Sequence, residues 1–373
     1  MKAVAVYPGA KEFKVIADHP EPLIESGGQI KLRMLEVGIC GTDKDIVSFQ
    51  YGTPPEGSAY LVIGHESLGE VVETGSAVSG IQKGDLIVLS VRRPCPHPEC
   101  IACRSGRQDF CYTGDFTERG IKGRHGYMTE YVVEDAQYAH KAPPELRDVA
   151  VLVEPLTIAE KASEQLWGVQ HRLPWARRLQ PGKQATAWNQ KALVLGAGPV
   201  GLLGAMKLVL EGFETFIYSR LDNSEVRLEI ANKIGAKFIQ AEQVDVPGIA
   251  KIIGNIDLVY EAVGASNLAF QVMSILGING VFIFTGVPGR KEPMSVDTSE
   301  LMRDHVLKNQ VIFGTVNAGP DAFTTAIKNI GEFNRRWPGA LRSIITNRVP
   351  IDQADQPLSG KMPGVKNVIS IGK

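Results

Sequence analysis

The sequence predicts an α/β protein in two parts: a β-rich domain, and a doubly wound parallel-sheet domain inserted before the carboxyl-terminal tail. Three observations predict it. Residues 1 to about 160 carry short β-branched runs separated by Gly, Pro and Asp turns. From Lys191 onward, apolar runs alternate with helical stretches, the βαβ pattern of a parallel sheet. A glycine-rich turn, LVLGAGPVGLLGA from Leu193, opens that second part.

In the first part the spacing predicts strands at Lys2–Tyr7, Gln29–Val37, Gly69–Thr74, Leu86–Val91 and Met128–Val133, a mostly antiparallel, barrel-like set. Ile158, Lys161, Ala162, Leu166 and Val169 then recur at helical spacing and predict a helix from Thr157 to Arg172. Residues 173–190 are polar and basic with two prolines and read as a linker. Strands follow at Ala192–Leu195, Thr215–Tyr218, Ile256–Tyr260 and Val281–Phe284. Helices are expected through Leu210, over Asn223–Ile234 and over Asn267–Leu276. The tail carries a helix at Ala322–Phe333 and strands at Ser343–Val349 and Asn367–Ile371. The expected division is residues 1–187 plus 318–373 for the first domain and 188–317 for the second.

Composition narrows the function classes. A chain of 373 residues suggests two domains or slightly more, and 44% apolar with 22% charged residues argues against bulk disorder. Forty basic side chains against 41 acidic leave a net charge of −1, without the basic surplus of a nucleic-acid binder. The longest uncharged, apolar-rich stretch, Ala192–Met206, falls short of the ~20 residues a membrane span needs. The amino-terminal apolar run is too short for a signal peptide. A cytoplasmic protein is expected, and a reducing compartment suits clustered thiols.

Gly196, Gly198 and Gly201 follow a predicted strand and open a helix. The first allows the tight turn, the second admits a pyrophosphate to the backbone, and the third lets helix and strand pack closely. Pro199, which has no N–H to lose, opens the helix, and the N–H groups from Val200 onward are free to meet the phosphates. A carboxylate usually ends the second strand when the cofactor is NAD; Ser219 and Arg220 stand there instead. Arg220 can pair with a 2′-phosphate, which favours NADP; Arg220 as a solvated surface charge, with Asp222 permitting NAD, is the other reading.

Four of the five cysteines crowd together: Cys95, Cys100, Cys103 and Cys111. Thiolates at this density can close a tetrahedral structural zinc site. Cys95 is favoured over His97 as the first ligand, and a metal-free loop of thiols is the bland alternative. The fifth, Cys40, lies 25 residues before His65. One sulfur, one imidazole and a nearby carboxylate form the open set that a catalytic zinc uses. Taken singly, either residue reads more readily as ordinary core than as a ligand.

Their surroundings carry a resemblance. GHESLGEVVETGSAV reproduces the GHExxGxxxxxG signature of the zinc-containing medium-chain dehydrogenases. The Cys40-Gly41-Thr42-Asp43 run, the cysteine lobe, the Lys83-Gly84-Asp85 turn and the GAGPVG loop occur in that family's order. The resemblance covers nearly the whole chain. It implies a GroES-like catalytic domain joined to a Rossmann domain, with the active site in a cleft between them. It further implies Cys40 and His65 as ligands of the catalytic zinc, Asp43 as the carboxylate orienting His65, and Thr42 as the hydroxyl that meets the substrate alcohol.

Alcohol dehydrogenases of the family use a further cysteine as third protein ligand, and this chain has none after Cys111. Val153-Glu154-Pro155-Leu156 resembles the polyol and sugar branch, where a glutamate serves. Glu154 is favoured and Glu66 is the second candidate.

EPLTIAEKASEQ, FTERGIKGRHGYMTEY and FGTVNAG resemble the archaeal glucose 1-dehydrogenase branch. That likeness implies Glu118 on sugar hydroxyls and Asn317 between nicotinamide and sugar. A surface ion pair of Glu118 with Arg119 or Arg124, and a turn role for Asn317, are the alternatives. Val91 falls where some relatives carry a polar sugar contact. The implied reaction is oxidation of an aldose at C1 to the lactone with NAD(P), by a homodimer or homotetramer. Sorbitol- and threonine-type zinc dehydrogenases share most of these motifs. A zinc-free reductase lacks them, and a nucleic-acid-binding zinc ribbon would need the absent basic surplus.

Overall fold

The computed structural model describes residues 1–174, 187, 189–221, 225–289 and 293–372. The chain divides into two compact units. The first comprises Met1–Thr157, Asn317–Arg335 and Ile345–Lys373; the second comprises Ile158–Val316 and Arg336–Ile344.

The first unit is mostly antiparallel. Its large sheet runs in the order Ala139–Ala142, Leu86–Leu89, Glu66–Thr74, Gln29–Gly38, Lys366–Ser370 and Ile345–Pro350, with Tyr131–Asp135 also on Gln29–Gly38. Leu32, Met34, Val71, Ile87 and Ile369 are fully buried from this sheet. Gln29–Gly38 is buried at eight of its ten residues and Lys366–Ser370 at four of five, so the centre of this sheet is covered on both faces, whereas Tyr131–Asp135 alternates as a half-covered strand does. Register matters for function here. Gly38 stands opposite Glu66 on one side and Val368 on the other, so segments from three distant parts of the chain meet at one sheet end. A Cβ on Gly38 would run into the Glu66 carboxylate and the Lys366 side chain, so a larger residue there would displace this buried ion pair. A small sheet of Arg92–Arg93, Thr117–Arg119 and Gly123–Arg124 completes the strands that concern the site.

The second unit holds an all-parallel sheet. Its strands, in chain order, are Lys191–Leu195, Glu214–Ser219, Lys237–Gln240, Leu258–Glu261, Val281–Phe284 and Val311–Gly314. Their spatial order is third, second, first, fourth, fifth, sixth, the doubly wound Rossmann arrangement. Ala192, Leu193, Val194 and Leu195 are all fully buried, as continuous apolar strands covered on both faces must be.

Several boundaries differ from expectation. The helix expected from Thr157 begins at Val153 and ends at Gln170. Pro155 does not prevent the earlier start, because a first-turn N–H has no helical partner to lose. The division between the units falls inside this continuous helix, at Thr157–Ile158, rather than at residue 187. The strand expected over Leu86–Val91 stops at Leu89, and Arg92–Arg93 pairs instead with Thr117–Arg119. The region read as a strand from Ser343 begins as a helix, Pro338–Ile344, before the strand Ile345–Pro350. Most of the 173–190 linker lies outside the described residues, as does Asp222. No helix among the described residues is long and apolar enough to cross a membrane.

Candidate active site

Cys40 lies two residues past the strand Gln29–Gly38 and caps the helix Gly41–Val47. Its backbone N–H donates to Asp43 Oδ2 at 2.8 Å. Asp43 is fully buried, and its Oδ1 accepts from the Gly64 N–H at 3.2 Å and lies 3.6 Å from His65 Nδ1. Gly64 has φ +91°, and a Cβ there would strike Met128 and Val37, which is why glycine precedes the histidine. One carboxylate therefore fixes the loops that carry both Cys40 and His65.

The Cys40 sulfur, a His65 nitrogen and a Glu66 oxygen lie within 4.8 Å of one another. His65 is buried, and its Nδ1 has no hydrogen bond closed within ordinary range. Burial is the largest influence on its imidazole and disfavours the cation. The Asp43 and Cys40 groups outweigh burial and hold its pKa well above the usual imidazole range. A half-buried thiol, a buried imidazole whose Nδ1 faces a buried carboxylate, and a second buried carboxylate form a donor set that fits a divalent zinc ion.

Glu66 is ion-paired to Lys366, and both side chains are buried. Lys366 Nζ also donates to the Ile39 carbonyl at 2.9 Å. Glu154, in the first turn of the helix Val153–Gln170, is buried and lies outside the 4.8 Å group. Burial first, then the Glu66 and Asp43 carboxylates, push its pKa up to about 7 against the pull of His65 and Lys366. Glu66, the second candidate in sequence, thus stands among the Cys40 and His65 donors, with Glu154 in electrostatic contact with them. Thr42 is half-buried in the first turn of the Cys40-capped helix.

The sulfurs of Cys95, Cys100, Cys103 and Cys111 lie within 4.8 Å of one another. His97 is turned away from them, with Nε2 2.8 Å from Asp115 Oδ2. Burial pushes the Cys103 thiol up to about 12, whereas hydrogen bonds from Thr113 and Gly114 overcome burial and bring Cys111 down to about 6. Protons are thus shared unequally among sulfurs that a dication would hold together as thiolates. Four sulfurs leave no open position, the pattern of a structural ion.

Glu118 does not pair with Arg119 or Arg124. Its partner is Arg92, directly opposite across the strand pair, with Nη2 3.0 Å from Oε1. Asn317 Nδ2 donates to the same oxygen at 2.7 Å. Asn317 has φ +61°, a left-handed conformation that asparagine tolerates better than most residues. Glu118 and Asn317, 199 positions apart in the chain, therefore meet. Val91 is buried and apolar.

In the second unit, Gly198 caps the helix Pro199–Leu210 with φ −74°. Gly196 has φ +97°, and a Cβ on Gly201 would collide with the Gly196 carbonyl. Nothing lies within 4 Å of a Cβ placed on Gly198. That open space in front of a helix amino terminus, where Val200 and Gly201 follow, is a cradle that fits a pyrophosphate. Ser219 ends its strand half-buried and Arg220 is exposed just beyond it.

Sequence reasoning missed three charged residues. Lys366 sits beside Glu66, Arg92 beside Glu118, and Arg227 donates from Nε to the Ala197 carbonyl of the glycine turn at 3.1 Å. The available signal was charge within or at the end of an apolar strand run: a single lysine in VKNVIS for Lys366, and two adjacent arginines closing VLSVRR for Arg92.

Comparisons with known proteins fit this geometry. Residues 147–371 match the family model of the glucose dehydrogenase carboxyl terminus, and residues 26–144 match that of the alcohol dehydrogenase GroES-like domain. The chain is 39% identical over 374 residues to a glucose 1-dehydrogenase of Methanocella arvoryzae, covering 100% of both chains. It is 38% identical to one of Thermoproteus tenax, covering 100% of this chain and 99% of that one. A solved Haloferax mediterranei glucose dehydrogenase, in complex with NADP, Zn and gluconolactone, superposes with a TM-score of 0.86 at 29% identity, covering 100% of both chains. The GroES-like and Rossmann parts expected from the motifs are both present, and this chain belongs to the glucose dehydrogenase family of zinc-containing medium-chain dehydrogenases.

Proposed function

We propose that this chain is a zinc-dependent, NADP-preferring glucose 1-dehydrogenase that oxidises an aldose at C1 to the aldonolactone. The observation that carries the reading is the grouping of Cys40, His65 and Glu66 around the Asp43 brace. Cys40, His65 and a carboxylate would hold the catalytic ion, with Glu66 in the group and Glu154 the alternative carboxylate. Cys95, Cys100, Cys103 and Cys111 would hold a structural ion. Zinc, when bound, supplies Lewis acidity that lowers the pKa of the anomeric hydroxyl.

The protein's own groups do the rest. Glu118 and Asn317 take the sugar hydroxyls, so that a substrate lacking them leaves polar groups without partners. Thr42 accepts the hydroxyl proton and passes it outward; the nicotinamide, when bound, would take up the C1 hydride. Gly196, Gly198, Pro199, Val200 and Gly201 seat the pyrophosphate, and Ser219 and Arg220 receive the adenosine 2′-phosphate. A cytoplasmic homodimer or homotetramer is the accompanying proposal. The compartment is supported by the cysteines, all of which are free thiols.

The test is a rate screen on glucose, xylose, sorbitol and threonine with NADP and with NAD, repeated after chelation. Aldoses with NADP are expected to give the highest kcat/KM, and chelation to abolish it. Preference for sorbitol or threonine would favour the sibling activities.

A further inference from the structure

Arg92 and Glu118 face each other across the short antiparallel pair of Arg92–Arg93 with Thr117–Arg119, and both are buried. The guanidinium sends Nε at 3.1 Å and Nη2 at 3.0 Å to a single carboxylate oxygen, Oε1. An arginine fork ordinarily spreads over both oxygens of a carboxylate. Here Asn317 Nδ2 joins the same Oε1 at 2.7 Å. Oε2 accepts no hydrogen bond from any described residue, and it is not one of the unpartnered oxygens sealed in the interior.

The guanidinium is itself fixed from behind. Its Cζ lies 3.6 Å over the Phe116 ring, and Nη1 points at the Gln108 and Asp109 carbonyls at 3.5 and 3.4 Å. Gln108 returns a bond from Nε2 to the Arg92 carbonyl at 3.4 Å. A stacked, multiply held guanidinium has few alternative poses, so it dictates the carboxylate's orientation rather than following it.

We infer that Arg92 is a positioning residue for sugar recognition: it saturates Glu118 Oε1 with protein donors and leaves Oε2 as the acceptor for substrate hydroxyls. This rests on the proposed role of Glu118 in sugar binding. A carboxylate free to rotate would offer either oxygen, at varying angles, and discriminate hydroxyl patterns less sharply. A held one rejects a substrate whose hydroxyl is missing or misplaced.

The test compares the parent protein, loaded with zinc, with Arg92→Gln, Arg92→Lys, Glu118→Gln and the Arg92→Gln/Glu118→Gln double variant. Readouts are KM and kcat for glucose, the kcat/KM ratio of glucose to 2-deoxy- and 3-deoxyglucose, and NADP affinity. Arg92→Gln is expected to raise the glucose KM roughly tenfold or more and to shrink the deoxy discrimination, with NADP affinity unchanged. Arg92→Lys, which keeps the charge but not the fork, should fall between Arg92→Gln and parent. The double variant should be little worse than Glu118→Gln alone, since both substitutions remove one arrangement.

Arg92→Lys also keeps the question open to test should Arg92→Gln fail to fold: parental KM and discrimination in Arg92→Lys would overturn the role of the fork. Additive effects in the double variant would overturn it as well. If Glu118→Gln raises KM while both Arg92 variants match the parent, the positioning role fails and the reading of Glu118 stands. If Glu118→Gln itself leaves sugar KM and discrimination unchanged, both fail.

Discussion

Asp43 does three things with two oxygens. It takes the Cys40 N–H, takes the Gly64 N–H, and stands 3.6 Å from His65 Nδ1. A carboxylate that orients a ligating imidazole commonly contributes ten- to a hundredfold in metal affinity, as an order of magnitude. Asp43→Asn keeps the shape but replaces one acceptor oxygen by a donor. It should lower zinc affinity and turnover by about that factor, read by metal content after dialysis against a chelator and by initial rates. Elsewhere in the same unit, Glu134 is buried among Arg93, Arg119 and Tyr127. Burial works against its ionisation, but Arg119 and Arg93 prevail and bring its pKa down from 4.5 to about 2. Because the folded value lies below the unfolded one, the stabilisation is present above about pH 4.5 and is lost as pH falls toward about 2. Glu134→Gln should therefore cost roughly 3 kcal/mol at neutral pH and flatten the acid limb of a Tm-against-pH curve. An unchanged Tm at pH 7 would show that the network contributes nothing net. At this scale the sequence was partly legible. The cysteine lobe is legible because four residues of metal-binding type stand at close spacing, and Cys40 with His65 is legible only through the family motifs around them. Lys366 and Arg92 do not, because they matter only through strand register, which local sequence does not encode.

Among the elements, the turn from strand Lys191–Leu195 into helix Pro199–Leu210 was readable almost to the residue, since each glycine there answers a distinct steric demand. Gly201 cannot carry a side chain without striking Gly196, whereas Gly198 faces open space with an ordinary backbone conformation. The two glycines should thus behave differently on substitution. Gly198→Val should leave Tm nearly unchanged and weaken NADP binding about tenfold or more, by filling the cradle; calorimetric titration with NADP measures it. A large fall in Tm with intact binding would mean that the glycine serves packing instead. Other elements were less legible. The short strands Lys237–Gln240 and Val311–Gly314 carry no such signal, because KFIQ has polar ends and VIFG ends in glycine, unlike the wholly apolar VFIF of Val281–Phe284. The helix Val153–Gln170 begins four residues before the start its apolar spacing predicts, and that extra turn is the one that carries Glu154.

Across the whole molecule, each unit holds its own share of the chemistry. The first holds both clusters of metal-binding type and the Glu118–Asn317 pair; the second holds the glycine turn on the parallel sheet. Fold class and family followed from the sequence because patterning and motifs repeat the same message at several scales. The convergence of Gly38, Glu66 and Lys366 at one sheet end required the structure. Cys40 and His65 are proposed to hold a catalytic ion distinct from the one that the four sulfurs would hold. Metal content per chain, measured on Cys40→Ala beside the parent and combined with turnover and NADP affinity, tests it most directly. Cys40→Ala should lose one of its ions and its turnover while binding NADP as the parent does. Parental metal content together with near-parental turnover in Cys40→Ala would contradict it.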